Sequence, residues 1–401
     1  MAPVINDFLP SPWLLVLIAA VLLWASVRVV KSLFINRKKS PAKTNSSRYG
    51  GDSKQPVREP GTWEPSDYKT PVAPPYPDWS VDITKPLPYR PFNHGPKYPI
   101  TMGLRRMPWD QWIELDNQFP YYHQEKARRI ENLGRVVARA EPEALEGAYE
   151  LLEEFSDYLS HRYPSLFKRT AVGIDNLLTG EQFNIVERPL KQDPMQMAAR
   201  LIQDDFALLL EKPDGQYYLS AGAIVMPGLW NLDERMGMPL SQIHIDHGKV
   251  PGFKEKLNRG VMNLFRRIQP DAPVQRNTWY IQGLDAMDKE GFTTGAGEKN
   301  MPVENFHFRS ERQSVRRLPR TGAVAFLFRT YFLPITDMAD EPYVPGRLAS
   351  AIRSWDDETA KYKGRESFEE VLLPYLDREH EKQVANGLDL SKEDELRAYP
   401  Y

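Results

Sequence analysis

Apolar residues fall along this chain in three regimes. Residues 13–30, WLLVLIAAVLLWASVRVV, form a nearly unbroken apolar run in which only Ser26 and Arg28 are polar. Eighteen helical residues at about 1.5 Å each reach roughly 27 Å, close to the hydrocarbon thickness of a bilayer. From about residue 36 to 99 the pattern dissolves into Pro, Ser, Lys, Asp and Gly, with thirteen prolines after residue 40. Such a segment buries too little apolar surface to offset its ordering entropy and reads as an extended spacer. Beyond residue 100, apolar positions recur with the spacings of regular structure.

In this third region residues 141–163 carry Leu145, Tyr149, Leu152, Phe155 and Leu159 at helical intervals, with acids early, as a helix N-terminus prefers. Residues 194–203 predict another helix. FALLLE (206–211), a Pro-Asp-Gly turn and QYYLSAGAIVM (216–226) predict a β-hairpin. Residues 254–268 put Leu257, Val261, Leu264, Phe265 and Ile268 on one helical face. Residues 277–284 and 322–335 read as strands, and 345–385 as helix. Strands in the middle flanked by helices, without a βαβ rhythm, predict an α+β domain around an antiparallel sheet.

Charge placement gives the first run a meaning. Lys and Arg are absent before it, and Lys31, Arg37, Lys38, Lys39 and Lys43 follow it. A secretory signal peptide has the opposite order. The run therefore reads as a single-pass transmembrane helix whose basic side faces the cytosol, with an endomembrane as host and the lipid bilayer as partner. The expected division is a short tail (1–12), the anchor (13–34), a Pro-rich disordered spacer (35–94), the main domain (95–375) and a polar C-terminal tail (376–401).

Composition then removes function classes. The 52 basic and 54 acidic residues nearly cancel, which gives no drive toward nucleic acid. Cysteine is absent, so disulfides, Cys-based zinc sites, iron–sulfur clusters, catalytic thiols and thiolate-ligated haem are excluded within the chain. The sequence has no G-x-S-x-G, P-loop, G-x-G-x-x-G or H-E-x-x-H motif. It also lacks the D-x-D pair that would support a membrane glycosyltransferase. TTGAGEKN (293–300) has no strand-then-helix context and reads as a surface turn.

Two segments concentrate polar chemistry. In SQIHIDHGKVPGF (241–253), His244 and His247 stand three apart, which in an extended segment points them to opposite faces. They would then not share a metal, but one imidazole facing an apolar cavity would suit a single axial haem ligand. The simpler alternative is a pair of solvated or hydrogen-bonded loop histidines. In residues 310–331, Arg312, Arg316, Arg317, Arg320 and Arg329 cluster around an apolar strand. Guanidinium groups suit carboxylates, such as haem propionates or an acidic substrate. The alternative is a polar loop whose arginines pair with the chain's own acids.

Taken together, the motifs resemble the haem-dependent oxidative N-demethylase alpha-subunit-like family over roughly residues 95–370. The similar stretches are Met102-Gly103-Leu104, Ile202-Gln203-Asp204-Asp205-Phe206, the His247-Gly248-Lys249-Val250-Pro251-Gly252 segment, Arg276-Asn277-Thr278-Trp279, and Glu311 to Val324 followed by Arg329-Thr330-Tyr331. At Lys249 the family pattern has proline. The resemblance implies a PAS-like antiparallel sheet with flanking helices that binds haem b through a histidine. It also implies oxidative demethylation of a small amine-like metabolite, with electrons from NADPH delivered by a flavin and iron–sulfur reductase partner protein. By motif position, His247 is the expected haem-iron ligand and His244 the second choice. Arg316 and Arg317, with Arg312, are expected at the haem edge or substrate entrance. Glu311, Arg312 and Tyr331 are expected as catalytic polar groups. The non-enzymatic alternative is a PAS-like haem- or ligand-binding sensor or scaffold at a membrane.

Overall fold

A computed structural model describes residues 58–92, 101–226, 231–283, 301–397 and 399–401. The anchor expected at 13–34 and the glycine-rich segment 293–300 lie outside the described residues. Among the described residues, no helix is long and apolar enough to cross a membrane.

The domain is α+β, as the spacing of apolar residues implies. Its strands are β1 (Arg105–Arg106), β2 (Ala138–Ala140), β3 (Phe167–Arg169), β4 (Gly173–Asn176), β5 (Gln182–Asn184), β6 (Asp205–Glu211), β7 (Tyr217–Ala223), β8 (Val274–Gly283), β9 (Phe306–Arg317) and β10 (Val324–Pro334). Seven of them form one antiparallel sheet in the order β1-β8-β9-β10-β6-β7-β2, and β3, β4 and β5 form a small second sheet. The helices used below are α1 (Phe119–Leu133), α2 (Leu145–Arg162), α3 (Pro194–Leu201), α4 (Asn258–Arg267), α5 (Val344–Arg353), α6 (Asp357–Tyr362) and α7 (Glu369–Ala385).

The main sheet is covered on both faces. On one, called the back, Phe206, Leu208, Ala325 and Leu327 join Trp112, Leu151, Phe155 and Leu159 of the 109–116 segment and α2 in one core. Farther along the back, Trp279, Ile281, Phe306 and Phe308 pack with Leu348, Ile352, Leu372 and Leu376 of α5 and α7. On the front, Ala207, Leu209, Leu219 and Phe328 meet Leu240, Phe265 and Ile268. Strand residues alternate between the faces because their side chains have a period of two.

Several sequence expectations change. The central strand β9 is twelve residues long and carries the arginine-rich motif itself. A loop was the alternative there, because a strand with charge on both faces lacks the usual apolar alternation. Residues 240–257 are not extended. They form helical turns with wide i→i+5 geometry at Ile243–His247 and Phe253–Leu257, closed by Gly248 N–H to the Ile243 carbonyl at 2.8 Å. Lys249 has φ +47°, a conformation that proline, with φ fixed near −65°, cannot take.

Residues 58–92, the described part of the expected spacer, contain no helix or strand, yet they are laid down as a strap against the domain. Ala73, Tyr89 and Phe92 are buried, and the Trp63 indole and the Ser66 N–H both donate to the Pro319 carbonyl. Aromatic side chains anchor the strap, and its prolines reduce the number of N–H groups that need partners. At the other end, α7 runs through residue 375, so the expected tail begins inside a helix.

Candidate functional site

The back face of β9 and β10 buries arginines that each have a carboxylate. Arg312 Nε lies 3.0 Å from Glu114, and its other nitrogens donate to the Trp112 and Gln111 carbonyls. Glu114 also accepts from the Tyr89 and Tyr331 hydroxyls, each at 2.7 Å. Arg316 reaches Glu154 at 2.9 Å and lies against the Trp109 and Trp112 rings at 4.5 and 4.6 Å. Arg329 pairs with Asp116 at 3.0 Å above the Tyr122 ring. This network builds the core and does not line the cavity on the front. Arg317, at the end of β9, donates to the carbonyls of Phe265, Ile268 and Gly322 and to the Tyr217 hydroxyl. It therefore ties the C-terminal end of α4 to the sheet, where a cation also suits the helix dipole.

Between the front of the sheet and residues 240–265 lies a cavity of about 630 Å³. Typical small-ligand sites span roughly 300–1,000 Å³. Its wall has two halves. Ala207, Leu209, Leu219, Phe326 and Phe328 make an apolar half on β6, β7 and β10. The polar half is made by β8 and β9, whose register pairs Arg276 with Gln313, Thr278 with Glu311, and Tyr280 with Arg309. Beyond β1, the outer edge of β8 is covered by α6 and the residues after it, and Lys363 Nζ donates to the Trp279 carbonyl at 2.5 Å.

His244 enters the cavity from the helical turns. Its Nδ1 is 2.8 Å from the Leu240 carbonyl, and its ring stacks on Phe253 with centroids 4.5 Å apart and planes 10° from parallel. A carbonyl can only accept, so Nδ1 carries the proton and Nε2 keeps its lone pair. Burial pushes the His244 pKa down, and the charges of Arg276 and Arg235 act in the same direction, against the Leu240 hydrogen bond. The imidazole is therefore held neutral, with its orientation fixed, as a metal-ligating histidine requires. His247 also lines the cavity but lies at its exposed rim. The helical backbone is what brings both histidines to one side.

The remaining groups are cations and their hydrogen-bond partners. Arg309 is buried and pairs with Glu311, whose second oxygen accepts from Gln313 Nε2 at 3.1 Å. Arg309 Nε and Nη1 and Arg276 Nε lack hydrogen-bond partners. Gln282, 4% exposed, has neither amide atom bonded. Lys363 is buried among the Trp279, Tyr280 and Trp355 rings at 4.8, 4.5 and 5.3 Å. Burial first and the nearby Arg276 charge second push its pKa down to about 7, while Glu311 opposes them. Burial raises the Tyr280 hydroxyl well above its ordinary range, and the nearby Tyr362 and Glu311 add to this, so Tyr280 keeps its proton; its oxygen lies 3.3 Å from the Tyr362 hydroxyl, and either can donate.

Of the sequence-derived site residues, the structure brings His244, His247 and Glu311 to this cavity. It places Arg312, Arg316 and Tyr331 behind the sheet and Arg317 at its end. Arg309, Tyr280, Gln282 and Lys363 were not legible as site residues, although the period-two spacing of Arg276, Thr278 and Tyr280 was available as a signal. Among the described residues no three His, Cys, Asp or Glu side chains converge on a metal position. What the arrangement can hold is a large apolar group beside one imidazole nitrogen, with anionic substituents toward β8 and β9. Residues 103–373 match the model of a protein family described as haem-dependent oxidative N-demethylase, alpha subunit-like.

Proposed function

The chain belongs to the haem-dependent oxidative N-demethylase alpha-subunit-like family, and from that premise we propose that it is a membrane-anchored haem protein that oxidatively demethylates a small amine. The observation that carries this reading is His244: a neutral imidazole, fixed through Nδ1, with Nε2 turned to an apolar-walled cavity. A single axial histidine is enough for haem, because the macrocycle supplies the other iron ligands. The residues fit the group. His244 would hold the iron, Phe326 and Phe328 would meet the porphyrin, and Arg276 and Arg309 would meet its propionates. We place the axial role on His244 rather than on His247 at the rim.

Haem would supply oxygen activation. Oxidation of an N-methyl amine with one dioxygen, two electrons and two protons gives the amine with hydrogen in place of the methyl group, one formaldehyde and one water. The chain's own residues position the substrate. Glu311, with its oxygens fixed by Arg309 and Gln313, would hold a protonated amine, and Tyr280 would donate a hydrogen bond toward the reacting end. Because cysteine is absent, an iron–sulfur relay must be on another chain. We propose NADPH as the electron source, through a flavin and iron–sulfur reductase at a cytosolic membrane face, with the anchor at residues 13–34. A PAS-like description of the sheet and its helices belongs to the same proposal.

The test is spectroscopic, then catalytic. Full-length protein reconstituted with haem should show a Soret band that His244→Ala abolishes and His247→Ala retains. With a flavin reductase and an N-methyl amine it should release formaldehyde. Absence of a Soret band would defeat the reading. A Soret band without turnover on any reductase would favour a non-catalytic sensor.

A further inference from the structure

Residues 253–268 roof the cavity, and the outer side of that roof is unlike its inner side. Leu257, Val261, Leu264 and Phe265 line the cavity. Lys249, Lys254, Lys256, Arg259, Arg266 and Arg267 are all exposed. Residues 246–267 hold these six basic residues against two acidic ones, Asp246 and Glu255, a net charge of +4 in a chain whose net charge is −2. None of the six forms an ion pair with a described residue. The helix itself does not call for this charge. Arg266 and Arg267 sit in the last turn of α4, where cations suit the helix dipole. Lys254 and Lys256 sit in the turns that precede α4, where they oppose it, and Lys256 and Arg259 stand at an i,i+3 spacing that repels like charges. A merely solvated helix face mixes the two signs.

We propose that the outer face of residues 249–267 is the docking surface for an electron-donor protein whose own contact face is acidic. The inference rests on the demethylase reading of the cavity beneath and deepens it, because that reading needs a reductant on another chain. One helix, about 10 Å across, separates this face from the cavity. Two observations favour a protein over a lipid surface. The apolar side chains of the helix are turned inward to the cavity, so this face offers no apolar stripe for insertion into a bilayer. Three of the six cations are arginines, whose planar forks match placed carboxylates and are enriched at protein interfaces. From Lys256 to Arg267 the strip is roughly 16 Å long, a size that suits the small contact of a transient redox encounter. Attraction of this kind speeds encounter and orients the partner without holding it for long.

The experiment uses full-length, haem-loaded protein in phosphatidylcholine nanodiscs. The probe is an acidic 2Fe–2S ferredoxin kept reduced by its NADPH-dependent flavin reductase. Haem reduction is read under carbon monoxide from the shift of the Soret band. Raising the salt from about 0.05 M to about 0.5 M should slow reduction by ferredoxin at least about tenfold. The triple variant Lys256→Glu/Arg259→Glu/Arg267→Glu should slow it as much at low salt, while dithionite, a small reductant, reduces parent and variant within about twofold of each other. Glu255→Lys, which adds charge to the same face, should speed reduction by ferredoxin. Equal ferredoxin rates in parent and triple variant overturn the inference. So does a parent protein that dithionite reduces and ferredoxin does not. Acetylation of Lys254 and Lys256 by acetic anhydride, read by mass spectrometry, tests the lipid alternative. Ferredoxin should slow it; nanodiscs rich in phosphatidylserine that slow it as much assign the face to lipid instead. Calorimetry with ferredoxin separates this inference from the reading beneath it. Protein that takes no haem but still binds ferredoxin in a salt-sensitive way keeps the docking face and ends the demethylase reading.

Discussion

On β9, Arg312 and Arg316 point to one side of the sheet and Arg309 to the other, and the two sides treat a buried guanidinium differently. Behind the sheet, every one of these arginines has a carboxylate and aromatic or carbonyl neighbours. In front, Arg309 shares the single Glu311, and Arg276 has no ion pair among the described residues. The first arrangement is internally complete and serves the fold. The second is completed by something that enters from outside. Burial of charge alone therefore does not mark a site; burial of charge without its counter-charge does.

This contrast can be broken by mutation. Arg312→Met leaves Glu114 without its cation and should cost about 3–5 kcal/mol in equilibrium denaturation, as for other broken buried pairs. An effect near zero would show that the back network is not structural. pH offers a second handle, with opposite signs on the two faces. Asp204, behind the sheet, has neither carboxylate oxygen hydrogen-bonded, and burial raises its pKa to about 7 against the pull of Arg312, Arg329 and Lys126. Its folded pKa lies above the ordinary value of 3.8, so its contribution to stability is complete below that value and lost as pH rises to about 7. Asp204→Asn should flatten that slope.

Lys363, in front, behaves in the reverse sense. Its folded pKa of about 7 lies below the ordinary value of 10.5, so the unfolded chain binds more protons between the two and stability rises with pH across that window. Lys363→Met should remove the rise, measured as denaturation free energy against pH. The smallest effect on stability belongs to Arg276→Met, expected within about 1 kcal/mol of the parent because it removes an unpaired charge. Loss comparable to Arg312→Met would mean that Arg276 has a structural partner and would erase the difference between the faces.

Much of the sheet was legible because apolar strands announce themselves. FALLLE, QYYLSAGAIVM and VAFLFRTYF are visible in β6, β7 and β10. β9 was hidden because Glu311 and Arg312 are sequence neighbours that face opposite ways, and the acids that permit burial of Arg312 and Arg316 stand at 114 and 154. No local pattern contains that pairing. α1 was missed for a similar reason, since Lys126, buried against Asp205 at 3.2 Å, reads as a solvent-facing residue. The histidine segment was legible as a place but not as a conformation. Its helical turns put His244 and His247 on one side, and the burial that distinguishes them depends on Phe253 and on the sheet below.

The strap at residues 58–92 also bears on the order in which this chain is made. Trp63 donates to the carbonyl of Pro319, and Gly322, at φ +71°, has the Trp63 ring where a Cβ would be. That docking surface, the β9–β10 turn, leaves the ribosome some 250 residues after Trp63. At synthesis rates of about 5–20 residues per second the strap waits roughly 13–50 seconds for its partner. Trp63 lacks this late-made seat throughout that time, whereas Tyr76 and Trp79 rest on Leu115, Arg162 and Tyr163, which are made far sooner. The prolines between these aromatic residues lack amide hydrogens, so the segment cannot pair as a continuous strand with a neighbouring nascent chain. The proline content that marked a spacer in the sequence is thus also protection for a segment whose Trp63 is synthesised long before its seat.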